Sequence, residues 1–314
     1  MTTPAIGTGN RLAQPGRPIP VPTRTLPATL MSDPIASRTL VLPGQVTLAQ
    51  LAVLYRQRQM AIGLAASRAI SALWARHIDP ARMADSWASI RDIVLSLVRQ
   101  YFQASAADSA KSYEQMRVLA DLGHRSTAMA RLPQRELERV VDSQGIGHFF
   151  QMMPTLEDPQ LASDAADLSL QSSGARLALK GGRQTIVDAV HVDPEANGWE
   201  RIISGNACSF CSMLAGRGAV YKSQKSADFR AHDHCNCTAA PLFQGQELSQ
   251  QSRELAQQWQ QVTKGKAGAN ARKAWQQHWE NQNGGIGSDS GSTPAFEENR
   301  TGDGAQQQQR IGQP

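Results

Sequence analysis

The chain has 314 residues, 40% of them hydrophobic, 5% aromatic and 19% charged, with a mean hydropathy of −0.40. So few aromatics and so polar a mean exclude a single core running the whole length, and no run of about eighteen apolar residues or charged-then-apolar start supports a membrane span or an export signal, so synthesis in a cytosol is expected. Lys and Arg outnumber Asp and Glu by 32 to 27, but the excess is spread as single residues, which permits contact with nucleic acid without arguing for it.

Residues 1–44 hold eight prolines among Thr, Gly and Arg, which removes donors, opposes helix and predicts a disordered arm. Residues 45–195 read as helical. Thr47 can cap a first helix in which Leu51, Tyr55, Ile62, Ala66, Ala69 and Leu73 share a face, until Asp79-Pro80 stops it and starts the next. Met83, Trp87, Ile90, Val94, Leu97 and Tyr101 then step by four and three, one stripe of an amphipathic helix. A separate third helix is predicted around residues 110–122, ended by Gly123, and the three would pack as an antiparallel bundle. Shorter helices should follow: one after Pro133, a break at Gly145 and Gly147, one over 159–180 closed by Gly181-Gly182, and one over 184–191 ending near Asp193-Pro194. Residues 246–282 read as polar helices in which Trp259, Trp275 and Trp279 dock on the body of the protein, and 283–314 as a disordered Gly/Ser/Gln tail. The fold class expected is mainly α: an N-terminal antiparallel helical region, a small α+β zinc-knot-like subdomain over 196–245, and disordered termini.

All four cysteines fall between positions 208 and 237, unlike a disulfide framework spread through a small secreted fold. Cys208-x-x-Cys211 lets a tight turn aim two thiolates at one ion, and His232-Asp233-His234-Cys235-Asn236-Cys237 offers a second pair about twenty residues later. On an extended backbone Cys235 and Cys237 face one way and His232 and His234 the other, unless a turn near Asp233 brings a histidine in. Two ligand sets follow for a structural Zn2+: Cys208, Cys211, Cys235 and Cys237, or the same site with His232 replacing one cysteine. A site without metal, a disulfide and a redox Cys-x-x-Cys are the competing outcomes. Four sulfurs leave no open position for catalysis. Trp199, Phe210, Leu214, Val220 and Tyr221 are expected to cover the ion, and Arg217 to serve a Gly-rich turn rather than hold an anion.

Together, Trp199-Glu200-Arg201, the residues from Cys208 to Ala215, Arg217-Gly218, Val220-Tyr221 and the His232-to-Cys237 run resemble the MuF-like minor head proteins of tailed bacteriophages, above all those of phages infecting actinobacteria. That family ends its domain in His-x-x-Cys-x-Cys, matched by His232, Cys235 and Cys237, often after an upstream Cys-x-x-Cys, matched by Cys208 and Cys211. The resemblance implies a minor capsid protein acting in head morphogenesis: a virion component associated with the portal, present in few copies and packaged with the DNA. It implies portal, capsid and scaffold proteins as partners; from the charge and the lack of a long apolar run, non-specific DNA contact at most and no membrane are expected.

Some such proteins are fused to a capsid maturation protease, so an enzyme acting on capsid or scaffold is the alternative. Ser96, Ser126 and Ser143 with His77, His124 and His148 are available, but no P-loop, Gly-x-Ser-x-Gly or His-Glu-x-x-His occurs, and no catalytic residue is assigned. A zinc-stabilised nucleic-acid-binding module using Arg201, Arg217, Lys222, Lys225 and Arg230 is the other alternative.

Overall fold

The computed structural model describes residues 47–203, 207–217, 229, 231 and 235–283. The expected N-terminal arm, the tail beyond Asn283, Val220, Tyr221 and the run His232-Asp233-His234 lie outside the described residues.

The helical region forms as its caps and stripes dictate. Thr47 opens α1 (Leu48–His77) with a reciprocal capping box, Gln50 N–H donating to Thr47 Oγ1 at 3.2 Å and Thr47 N–H to Gln50 Oε1 at 2.8 Å. Asp79 then caps a single 3-10 turn at Pro80–Arg82 that leads into α2 (Met83–Leu119). This helix does not stop before residue 110: the separate third helix expected there is the last third of α2, because nothing between Phe102 and Ala110 breaks it. An irregular return leads to α3 (Gln134–Gln144) and α4 (Ile146–Leu156). Asp158 caps α5 (Pro159–Val192), its Oδ1 accepting from the Gln160 and Leu161 N–H groups. Here too the expected break fails, since α5 runs straight through Gly181-Gly182.

The bundle is α1, α2 and α5, with α1 antiparallel to the other two. Contacts climb α1 as they descend α2, from Tyr55 with Ser109 to Trp74 with Trp87. One core fills the end built from Ile70, Trp74, Trp87, Val94, Val98 and Leu170, closed by Leu137, Val141 and Phe149 of α3 and α4. A second core, around Leu51, Tyr55, Tyr113, Met116, Ile186 and Val190, fills the other end. Each such side chain contributes about 1.5–3 kcal/mol on burial.

Between the two cores lies a polar layer. Tyr55 Oη meets Ser109 Oγ at 2.9 Å, Gln59 Nε2 donates to the Ser105 carbonyl at 3.2 Å and to Asp108 Oδ2 at 2.9 Å, and Ser105 Oγ donates to Gln59 Oε1 at 2.6 Å. Gly182 N–H donates to Ser105 Oγ at 2.8 Å. Burial pushes the Tyr55 phenol above its ordinary range, so it stays a neutral partner in this layer.

The glycine pair is a helix crossing, not a helix end. A Cβ on Gly181 would lie 2.2 Å from the Phe102 carbonyl oxygen, a backbone atom that cannot turn aside. Gly181→Ala is therefore expected to cost about 1–3 kcal/mol in urea unfolding. At Gly174 the same methyl clashes with Ile70 Cδ1, at 2.3 Å, and otherwise meets side-chain carbons at ordinary contact distance. The Ile70 end can rotate, and alanine gains about 1 kcal/mol of helix propensity, so Gly174→Ala is expected within about 1 kcal/mol of the parent. Equal losses in the two variants would contradict the close backbone crossing.

Strands β1 (Ala196–Ile202) and β2 (Thr238–Phe243) pair antiparallel, Trp199 opposite Pro241 and Arg201 opposite Ala239. Two strands alone are marginal, and these are held by packing: Trp199, Ala239 and Phe243 join the second core against α5. Between them in sequence stands α6 (Ser209–Ala215), and after them α7 (Gln250–Val262) and α8 (Gly268–Gln282). Buried Glu200 accepts from Ser249 N–H, Ser249 Oγ and Ser252 Oγ, which pins the start of α7 to β1. The tryptophans dock inward: Trp275 Nε1 donates to the Ser209 carbonyl and to Ser212 Oγ, each at 3.0 Å, and Trp279 Nε1 to the Ala207 carbonyl at 2.7 Å. The described molecule is mainly helical with this one small antiparallel sheet.

Candidate metal centre

The thiols come from two short elements that the rest of the fold presses together. Cys208 is the N-cap of α6, and its Sγ accepts the Cys211 N–H at 3.4 Å. One turn on, Cys211 points into the interior. Cys235 and Cys237 lie on the extended approach to β2, both buried, with Asn236 between them exposed, as alternation along an extended chain requires.

Cys211, Cys235 and Cys237 bring their sulfurs within 4.8 Å of one another, and Cys211 Sγ lies 3.6 Å from Cys235 Sγ. A tetrahedron with zinc–sulfur bonds of about 2.3 Å has edges of about 3.8 Å, so this spacing is compatible with a metal site. Cys208, half-buried beside Cys211, stands outside that trio. None of the four is joined in a disulfide. His232 lies outside the described residues.

Around the sulfurs, Ile203, Ala207, Met213, Leu214, Leu255, Trp275 and Trp279 form a third core, with Phe210 packed against it. Trp199 belongs instead to the core facing α5, a correction to its expected place over the ion. The cause is its position on β1: the indole faces α5 and stacks on Phe229 at 5.3 Å.

Two arginines complete the surroundings. Arg183 of α5 is buried and donates through Nε to the Cys237 carbonyl at 2.9 Å and through Nη2 to the Cys235 carbonyl. Arg201 of β1, 1% exposed, places Nη1 3.7 Å from Cys211 Sγ. Both guanidiniums lie over the Phe229 ring, with Cζ 3.7 Å from its centroid for Arg201 and 5.0 Å for Arg183. Arg201 is thus withdrawn from any surface that nucleic acid could reach, which corrects its expected role as a basic contact. Arg217 is exposed, and Lys222, Lys225 and Arg230 lie outside the described residues.

The sulfurs do not share charge evenly. Hydrogen bonds from Cys211 and Cys237 hold Cys235 well below the ordinary thiol range, and Arg183 and Arg201 add to this. Hydrogen bonds to Cys208, Cys235 and Cys237, with burial, push Cys211 well up. Donation by Cys211 pulls Cys237 downward, but its bond to Cys235 and its burial prevail and push it up to about 12. Buried thiols around a thiolate, beside fixed positive charge, suit a soft cation.

Among the described residues, no hydrogen bond joins any of the serines and histidines available for a hydrolase to one another. Ser96 accepts from Gln100, Ser143 donates to the Val140 carbonyl, and exposed His124 faces Glu114 at 3.4 Å. Of the residues now seen at the centre, Arg183 and Phe229 were missed in the sequence. Neither spacing nor composition separates Arg183 from the other arginines, and its meaning depends on a crossing some fifty residues from the cysteines.

No helix among the described residues is long and apolar enough to cross a membrane. Comparison with known proteins finds no match among curated proteins and none among solved structures. A family model described as VG15 protein matches residues 47–262, more than half of the chain. It begins at the cap of α1 and ends with the last residue of α7, so it takes in the bundle, the sheet and all four cysteines. The chain belongs to the VG15 protein family, a phage-associated family.

Proposed function

We propose that the protein is a MuF-like minor capsid protein of a tailed phage, closest to those of actinobacterial phages, that works by binding and not by turnover. The observation that carries this is the family match, which spans helical bundle and thiol cluster as one unit. The motif resemblance through Cys208, Cys211, Cys235 and Cys237 supports the finer assignment. In this proposal the four thiolates close around a structural zinc with no position left for substrate, and the metal unit gives the C-terminal half a rigid form. The three-helix bundle presents long surfaces to a portal, capsid or scaffold partner, and the protein resides in the virion.

The test is a mass-spectrometric inventory of purified virions, paired with co-expression of the protein and the major capsid protein. The expected result is a few copies per particle and a major capsid protein with an unprocessed N-terminus. Absence from virions would overturn the structural assignment, and processing dependent on this chain would establish the protease instead.

A further inference from the structure

We propose that Arg183 and Arg201 are positioning residues that set the metal centre to four thiolates by matching its charge and holding its second cysteine pair in place; this rests on the zinc assignment above. Zinc with four thiolates carries two negative charges, and burying them without compensation is costly in a low-dielectric interior. The structure places two positive charges against this cluster from two different elements, α5 and β1. Arg201 Nη1 reaches Cys211 Sγ directly at 3.7 Å, and Arg183 binds the carbonyls of Cys235 and Cys237, fixing the backbone that aims both sulfurs. Phe229, with both guanidiniums over its ring, covers the same cluster. A site in which a neutral imidazole replaced one thiolate would carry one negative charge fewer against the same two guanidiniums. The arginines therefore favour the all-sulfur set over the set that uses His232.

Arg183 has a second attachment. It follows Gly181, which touches the Phe102 backbone, and Gly182, whose N–H binds Ser105. The residue that steadies the cysteine carbonyls is thus rooted where α2 and α5 cross.

The experiment uses the full chain, prepared without oxygen, with zinc affinity measured by competition against a chelator and the ligand set read from the absorption of the Co2+-loaded protein. The expected result for the parent and for His232→Ala alike is the strong sulfur-to-cobalt charge transfer of a four-thiolate site. Arg201→Gln and Arg183→Gln are expected to bind zinc about 10–100-fold more weakly, the usual effect of losing an outer-shell partner. Arg201→Lys, which keeps the charge, is expected to recover most of the loss, and Arg183→Lys only part of it, because one ammonium cannot hold both carbonyls; circular dichroism checks that each variant retains the parent's helix content. Parent-like affinity in folded glutamine variants would overturn the proposal, as would a cobalt spectrum that changes on His232→Ala. If the parent binds neither zinc nor cobalt, the zinc assignment itself falls, which is a different failure from unaltered binding in the arginine variants.

Discussion

Cys235→Ser protein is expected to carry no zinc, where the parent prepared without oxygen carries about one ion per chain. Structural zinc contributes apparent free energies of about 10–16 kcal/mol in small zinc-dependent units. The third core is small, and its sulfurs, Trp275 and Trp279 pack on one another. Loss of the ion should therefore release the packing of Trp275 and Trp279 on α6, abolish their near-ultraviolet circular dichroism and open residues 196–282 to proteases. Far-ultraviolet dichroism should fall only in part, because the bundle has a core of its own at the end remote from the cysteines. Cys208→Ser is expected to act in the same direction. Elemental analysis finding no metal in the anaerobic parent, or unchanged protease resistance in Cys235→Ser, would defeat the expectation.

The second large effect is expected at Arg117 and Asp193. Their side chains are 7% and 0% exposed and form an ion pair, joined by Tyr113 Oη donating to Asp193 Oδ2 at 2.7 Å. Arg117→Met leaves a buried carboxylate uncompensated and is expected to destabilise by about 3–5 kcal/mol in urea unfolding. Adding Asp193→Asn should recover part of that loss, since the stranded charge goes with it. Burial works against the Asp193 charge, but the bonds from Tyr113 and Arg117 prevail and hold its carboxyl below the ordinary carboxylate range. A depressed folded value places the pair's stabilisation above an unfolded pKa of about 3.9, to be lost as pH falls through the folded value. The gap between parent and Arg117→Met should thus be widest near neutral pH and shrink in acid. A gap independent of pH would show that the lost contacts are packing alone.

The helical character of the chain was legible because its signals are local. The stripe from Met83 to Leu97 is buried as its spacing predicts, and Thr47 and Asp79 cap as their side chains allow. Helix lengths were not legible, because glycine serves two opposite ends. Gly181-Gly182 has the composition of a helix terminus, and only the arrival of α2 at Phe102 makes it a crossing. The serines at 105, 109 and 112 weaken the local helical signal for a related reason: they are the small polar partners that Gln59, Tyr55 and Arg58 require. At the metal centre the cysteines announced themselves by spacing, and their gathering at Cys211, Cys235 and Cys237 agrees with the chemistry expected of them. The arginines did not, since a buried cation is recognised by what lies over it, and Phe229 and the cysteine carbonyls are distant in sequence.

The polar layer between the two bundle cores has a mechanical consequence. Sliding α1 by one turn, about 5.4 Å, would carry Gln59 to the level of Tyr101 and Phe102 in one direction, or Tyr55 to the level of Tyr113 in the other. Either shift strands hydrogen-bonding groups among rings. A pull along the bundle axis loads these bonds side by side, so they must part together and not in sequence. The helices are latched lengthwise, and the bundle resists shear as a strut does.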